Sequence, residues 1–101
     1  MLGNMMEKLQ EMQQKMKESK ERLGRLRIEA EAGNNAVKVV VNGNREVRSI
    51  EIEPSMCLPE RREELEDFIV IALNRALKLA EASWETEMRG NAGGLLSNIK
   101  V

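Results

Sequence analysis

The alternation of apolar and polar residues predicts a long helix at the N-terminal end of the chain. In residues 2–26, apolar side chains recur at alternating steps of three and four positions, which is the spacing of a coiled-coil seam. One column of this seam is Leu2, Leu9, Met16 and Leu23, and the other is Met5, Met12, Ser19 and Leu26. The segment is therefore predicted to form one amphipathic helix with a narrow, methionine-rich stripe.

From Arg25 onward the period of the pattern changes to two, which is the period of a strand with one buried face. Alternation of this kind covers residues 26–32, 37–41 and roughly 46–53. Gly33-Asn34-Asn35 separates the first two stretches with residues that favour turns. The three stretches predict an antiparallel meander.

Two local signals refine the second hairpin of this meander. Asn42-Gly43 is a strong turn signal because both residues tolerate positive φ. The apolar parity slips between Val47 and Ile50, which predicts a β-bulge near Arg48-Ser49. Pro54 then ends the third strand.

A second long helical pattern occupies residues 60–88, after Pro59, which can open a helix. Its main apolar face consists of Leu65, Phe68, Ile69, Ala72, Leu73, Ala76, Leu79, Ala80 and Ser83. Val70, Ile71, Leu77 and Trp84 widen the apolar arc beyond what one three-stranded sheet can cover. We therefore predict a homodimer whose interface includes Val70, Leu73, Leu77 and Trp84, together with Met12 and Met16 of the first helix.

These elements predict an α+β fold with a long N-terminal helix, a three-stranded antiparallel meander and a long C-terminal helix. The chain of 101 residues fits one domain, which we place at residues 1–90. Gly93-Gly94 lies in residues 91–101, which are expected to form a flexible C-terminal tail.

The composition argues against catalysis and against a membrane protein. The chain has no histidine and a single cysteine, Cys57, so it lacks the commonest general base and metal ligand. Charged residues make up 33% of the chain, and no apolar run approaches the length of a membrane span. We expect a cytoplasmic protein that is not an enzyme and that needs no cofactor, metal or small-molecule substrate.

Charge is unevenly distributed along the chain. The net charge is −1, yet residues 1–27 carry seven basic and four acidic side chains. Residues 59–88 carry four basic and eight acidic side chains. The basic balance therefore lies in the first helix, where a polyanion would be attracted.

Lysines and arginines of both helices are the candidate contacts to the phosphates of such a polyanion. Lys8, Lys15 and Arg22 recur every seven residues along one flank of the seam, although Glu11 and Glu18 stand four residues before Lys15 and Arg22 and are expected to pair with them. The further candidates are Lys17, Lys20 and Arg25 on the first helix, and Arg75, Lys78 and Arg89 on the last.

The order of these segments resembles the YbaB/EbfC family of bacterial nucleoid-associated proteins over about residues 3–88. The resemblance rests on Met5-Met6 through Met16-Lys17, residues 37–43, residues 47–54, Glu64-Leu65-Glu66-Asp67 and residues 72–76. In this chain, Asn34-Asn35 stands where the family often has glycines before the second strand.

The resemblance implies an intertwined, tweezer-like homodimer that is associated with the nucleoid and binds double-stranded DNA with helices projecting from a sheet body. Binding of this kind would run mainly through phosphates and select sequence weakly. It could also influence nucleoid organisation and gene expression. The alternative is a protein-interaction scaffold or chaperone-like dimer whose methionine-rich helical arms grip a protein.

Overall fold

The computed structural model describes residues 2–91 and contains the predicted elements in the predicted order. Helix α1 spans Leu2–Arg25, strands β1, β2 and β3 span Ile28–Ala32, Val37–Val41 and Val47–Ile52, and helix α2 spans Arg62–Asn91. Two short 3-10 helices, Pro54–Met56 and Pro59–Arg61, connect β3 to α2. The predicted α+β fold class is therefore confirmed. The predicted tail lies outside the described residues, apart from Asn91, which ends α2.

The sheet is an antiparallel meander in the order β1-β2-β3, and α2 covers one of its faces. Alternate valines of the central strand, Val37, Val39 and Val41, point to that face and are fully buried. On α2, three alanines spaced by four residues lie against them, namely Ala72, Ala76 and Ala80. Small side chains at this spacing let the helix backbone lie close to the sheet, so the core is closely packed without aromatic residues at its centre.

The predicted bulge is present in β3. Val40 pairs with Ser49 and Val41 pairs with Val47, so Arg48 is the extra residue. A bulge redirects the side chain that it carries. Here the Arg48 guanidinium reaches the end of α1, where its Nη2 donates to the Gly24 carbonyl at 3.2 Å.

The first turn of the sheet accommodates two asparagines in the left-handed region. Asn34 and Asn35 have φ values of 57° and 70°, and asparagine tolerates that region better than other non-glycine residues. The preceding Gly33, at φ 66°, lies so close to the Phe68 ring that a Cβ there would be 2.5 Å from it. The asparagines thus supply the left-handed backbone conformation that this turn requires.

The second turn differs in detail from its prediction. Within residues 2–91 the positive φ of this hairpin falls on Arg45, at 64°, and not on Asn42 or Gly43. Asn42 instead stabilises the turn through its side chain, whose Oδ1 accepts from the backbone N–H groups of Asn44 at 2.9 Å and Glu46 at 3.0 Å. Gly43 is required by space, since a Cβ there would lie 2.9 Å from the Leu23 carbonyl oxygen.

The apolar arc of α2 extends beyond the sheet, as its pattern indicated. Val70, Ile71 and Trp84 are exposed in the single chain. Leu79 was expected on the buried face and is also exposed, because the Ala72, Ala76 and Ala80 stripe, rather than Leu79, is centred on the sheet.

Candidate nucleic-acid interface

The first helix projects its N-terminal part away from the sheet, and this part approaches α2 at Met16 and Lys17, which line a cleft with Trp84 and Met88. Every side chain from residue 3 to residue 18 is exposed, and we call this segment the arm. Lys8, Lys15 and Lys17 lie on it, and Lys20 follows it, also exposed. Lys8 and Lys15 are separated by two helical turns, or about 10.5 Å along the axis. The arm therefore offers separate cationic groups to solvent along one helix.

The arm carries three glutamates, Glu7, Glu11 and Glu18, beside its three lysines, but none of them forms an ion pair with these lysines within the described residues. The expected pairs Glu11–Lys15 and Glu18–Arg22 are absent among the ion pairs of residues 2–91. Glu18 accepts a hydrogen bond from the Gln14 side chain at 3.2 Å instead. Long-range contacts available to Arg22 outweigh the weak attraction between exposed neighbours on one helix.

Arg22 is bound to α2 by a pair of parallel hydrogen bonds. Its Nε donates to Oε1 of Glu87 at 3.1 Å, and its Nη2 donates to Oε2 at 3.0 Å. The buried Ser19 hydroxyl also donates to Glu87 Oε2, at 3.3 Å. These bonds favour the ionised carboxylate, so the hydrogen bond from Arg22 is the main cause that lowers the pKa of Glu87 below its ordinary value. We call Ser19, Arg22 and Glu87 the clamp.

The C-terminal end of α1 is capped by the β2–β3 hairpin. The Leu23 carbonyl accepts from the Gly43 N–H at 2.8 Å, and the Lys20 carbonyl accepts from Asn44 Nδ2 at 2.9 Å. Arg48 satisfies the Gly24 carbonyl, as described above. The last carbonyls of a helix have no partner within it, so the hairpin fixes where α1 ends.

The other predicted cations belong to the last turn of α1 and to α2. Arg75 Nη1 donates to the Glu31 carbonyl at the end of β1, at 2.8 Å, and Lys78 is exposed one turn further along α2. Arg89 pairs with Glu85 at 3.8 Å, and Arg25 donates to the Glu21 carbonyl at 3.3 Å. About 21 Å of helix separates Arg75 from Arg89, so one chain does not bring all nine predicted cations together.

The predicted interface residues fall into two groups. Val70, Trp84, Met12 and Met16 are exposed, whereas Leu73 and Leu77 are half-buried beside the core. Met16 and Trp84 share one cleft between α1 and α2, an apolar groove whose other lining residues are Lys17, Lys20, Leu23, Asn44 and Met88. The structure thus brings together two of the six side chains that were predicted to meet a partner.

Sequence reasoning missed the residues that hold α1 in place. Glu87 and Asn44 contact α1 from 65 and 24 residues away, and no local pattern marks such pairs. Arg48 carried a usable signal, because the parity slip already predicted that its side chain leaves the regular strand alternation.

No constellation for metal binding is found in residues 2–91, since His, Cys, Asp and Glu side chains form no group of three or more that could hold an ion there. Cys57 is exposed between the two 3-10 helices. Within the same residues, no helix is both long enough and apolar enough to cross a membrane.

A small sheet-and-helix body that presents a long exposed basic helix defines a protein that binds a macromolecule. The sequence matches the model of the YbaB/EbfC DNA-binding family over residues 1–95. The chain belongs to the YbaB/EbfC DNA-binding family, as its sequence pattern indicated.

Several relatives are similar along most of their length. A nucleoid-associated protein of Pelotomaculum thermopropionicum is 44% identical over 100 residues, covering 99% of this chain and 91% of the relative. One of Clostridium kluyveri is 39% identical over 94 residues, covering 93% and 82%. The crystal structure of an uncharacterized protein, HP0035 from Helicobacter pylori, has the same fold, with a TM-score of 0.72 and 23% identity over 94% of this chain and 92% of that one.

Proposed function

We propose that this protein is a nucleoid-associated homodimer that binds duplex DNA through the basic flank of α1. The observation that carries the proposal is the arm, on which Lys8, Lys15 and Lys17 are exposed and make no ion pair with another residue of the described chain. An ammonium group that is free of an internal carboxylate can exchange its counterions for DNA phosphates. Membership of a DNA-binding family supports the same partner.

Binding by these lysines is electrostatic and weakly selective. Ammonium groups on a helix flank contact phosphates, which fix position and carry no sequence information. Phe68 is half-buried beside the core, and Trp84 lies on α2 in the groove that Lys17 and Lys20 also line, so neither aromatic ring belongs to the arm and the proposal rests on phosphate contacts alone. The protein is proposed to act in the cytoplasm on the nucleoid, without catalysis and without a cofactor.

The homodimer is proposed because large apolar side chains are uncovered on both helices. Met12 is 63% exposed and Val70 is 57% exposed, and apolar surface of this kind is stabilised when a partner covers it. A dimer would also present two arms, which doubles the number of lysines that face one duplex. In this proposal the duplex lies between the arms of the two protomers.

Fluorescence anisotropy of a labelled duplex, measured between about 50 and 200 mM salt, tests the proposal. If a dimer neutralises about six phosphates, log K falls against log[salt] with a slope near −5. Lys8→Gln removes two contacts per dimer and is expected to flatten the slope by roughly 2. The loss of affinity should be equal on two duplexes of unrelated sequence, because phosphate contacts do not depend on the base sequence.

The matched control is Lys38→Gln, which removes the same charge from a half-buried lysine of β2. It is expected to leave the slope unchanged. A folded Lys8→Gln/Lys15→Gln double variant that binds as tightly as wild type, with the same slope, would show that the arm is not the DNA-binding surface.

One observation favours a second candidate, in which the arm grips a protein. Met5, Met6, Leu9 and Met12 form an exposed apolar stripe on the arm, and methionine adapts to varied surfaces. Salt distinguishes the two candidates, since apolar capture strengthens or stays constant as salt rises while phosphate binding weakens.

A further inference from the structure

The direction of the arm is determined within the last two turns of α1. Residues 3–18 are exposed throughout, whereas Ser19 and Leu23 are buried. The buried contacts of α1 therefore lie at its base, next to the cleft that Met16 and Lys17 share with Trp84 and Met88, and the rest of the arm extends from there as a lever.

Two sets of contacts act at the base, and they restrain different movements. The hairpin binds the carbonyls of Lys20, Leu23 and Gly24, which lie at the helix end and point along its axis. Contacts along the axis fix where the helix ends and oppose its tilt less than a lateral contact does. The clamp approaches from the side, because Glu87 belongs to α2, and a lateral contact opposes tilt.

The Arg22 side chain is 51% exposed and the Glu87 side chain 20% exposed, so the clamp acts as a restraint through its paired hydrogen bonds and not through burial of charge. Both oxygens of Glu87 are used by Arg22, in the planar arrangement that guanidinium and carboxylate groups favour. Arg22 Nη2 also donates to the Ser19 hydroxyl at 3.2 Å, so each of the three side chains contacts the other two. Ser19, which interrupts the apolar seam, is fully buried there. The interruption of the seam thus has a physical reason.

We propose that Glu87 is the positioning residue of α1, which fixes the angle of the arm and thereby the placement of its lysines on DNA. The consequence for DNA rests on the proposed function, whereas the restraint on the arm does not. Arg22 serves the restraint in this scheme, and Lys8 and Lys15 make the phosphate contacts.

Because the arm is long, a small change in the tilt of α1 at its base produces a large displacement of the lysines. Lys8 precedes Arg22 by 14 residues, or about 21 Å of helix. A tilt of about 10° at the base would move Lys8 by about 4 Å, which is close to the 3.4 Å axial step between phosphates of one strand. Loss of the clamp would therefore disturb the register between the arm and DNA without removing a lysine.

A distance measurement tests the restraint directly. Spin labels are placed at Gln10→Cys on the arm and Glu66→Cys on the exposed face of α2, in a Cys57→Ser background. Excess unlabelled protein is added so that each assembly carries one labelled copy. Wild type is expected to give a narrow distribution of label distances, and Glu87→Gln and Arg22→Gln are expected to broaden it.

Two further variants separate the clamp from a general change in charge. Glu85→Gln removes the same charge from the same helix, but Glu85 pairs with Arg89 of α2, so its distribution should match wild type. The exchange Arg22→Glu/Glu87→Arg should restore the narrow distribution. If Glu87→Gln stays as narrow as wild type, or if Glu85→Gln broadens the distribution equally, Glu87 does not position the arm.

DNA affinity is the second measurement. For Glu87→Gln, the loss of negative charge predicts tighter binding, whereas the loss of arm positioning predicts weaker binding. Removal of a carboxylate alone should strengthen binding to a polyanion. Glu87→Gln is nevertheless expected to bind duplex about 3- to 10-fold more weakly than Glu85→Gln, because misplaced lysines lose contacts. Equal affinities of the two variants, with a broadened arm, would overturn the positioning role. Failure of wild type to bind DNA would refute the proposed function, while the label distances would still decide whether Glu87 restrains the arm.

Discussion

Helices α1 and α2 are both long and amphipathic, yet only α2 buries a continuous stripe of its apolar face against the sheet of the single chain. Ala72, Ala76 and Ala80 of α2 are completely buried on the sheet. On the arm of α1, Met5 and Met12 are almost two-thirds exposed, at 64% and 63%. Periodicity therefore identifies a helix and its apolar face, and side-chain size helps to show whether the chain itself can fill that face.

The sharpest test of this contrast makes the same substitution in the two regions. Met56, at the end of the first 3-10 helix, is 1% exposed, and Met6 on the arm is 59% exposed. Met56→Ala is expected to lower the free energy of unfolding by about 2–5 kcal/mol, because it leaves a cavity. Met6→Ala should change it by no more than about 0.5 kcal/mol. Chemical denaturation measures both, and similar losses would contradict the contrast between body and arm.

Trp84 tests whether a second copy covers the excess apolar arc of α2. Trp84→Ala is expected to weaken dimerisation by about 2 kcal/mol, or about 30-fold in Kd, if the ring is an interface anchor. Leu58→Ala is the control, since Leu58 is also exposed and lies on the linker before α2. Sedimentation equilibrium measures both. A stable wild-type monomer of 11.5 kDa at low micromolar concentration would remove the dimer from the proposal.

The clamp predicts a smaller, pH-dependent difference in stability. The pKa of Glu87 is lowered from its ordinary value of 4.5, mainly by the hydrogen bond from Arg22. The stabilisation is therefore complete above that ordinary value and is lost as pH falls through the lower folded-state value. Wild type should have a higher Tm than Glu87→Gln at about pH 7, and the two should converge in strong acid.

Glu85→Gln is again the matched control, because its partner lies on its own helix. Its Tm difference from wild type should be smaller at neutral pH. A Tm difference between wild type and Glu87→Gln that persists unchanged in strong acid would have to come from packing and not from the ionised carboxylate.

Cys57→Ser should have the smallest effect of all. Cys57 is exposed, and its sulfur approaches only the Glu53 carbonyl, at 4.0 Å, among the contacts of the described chain. Stability, association and DNA affinity are each expected to equal those of wild type, as is typical of an exposed substitution. Loss of DNA binding in a folded Cys57→Ser variant would show that Cys57 contributes to DNA binding, which would contradict the proposed surface on α1.

The elements of the fold could be read from sequence because each rests on local chemistry. The change of period after Arg25 separates α1 from the strands, and the slip between Val47 and Ile50 locates the bulge at Arg48. Asn42-Gly43 marks the second turn correctly. Its mechanism was wrong, because side-chain hydrogen bonds of Asn42 and a close approach to Leu23 decide that turn.

The candidate site was less predictable because its decisive contact is not local. Seven-residue spacing grouped Lys8, Lys15 and Arg22 as equivalent, and two of them are exposed lysines on the arm. Arg22 differs because its guanidinium group is hydrogen-bonded to Glu87, which lies 65 residues away in sequence. Spacing along one helix cannot reveal a partner on another helix, so the division of this column between binding and positioning needed the structure.

The attachment of α1 to α2 also affects the order in which parts of the molecule fold and unfold. Ser19 and Glu87 are separated by 68 residues, so their contact pays a larger loop-closure cost than the two hairpins and is expected to form after them. The arm should then behave as its own cooperative unit, whose amide hydrogens exchange with solvent through local opening while those of β2 wait for global unfolding. Mutations within residues 3–18 can accordingly accumulate with little penalty to folding, which leaves that segment open to selection on what it touches.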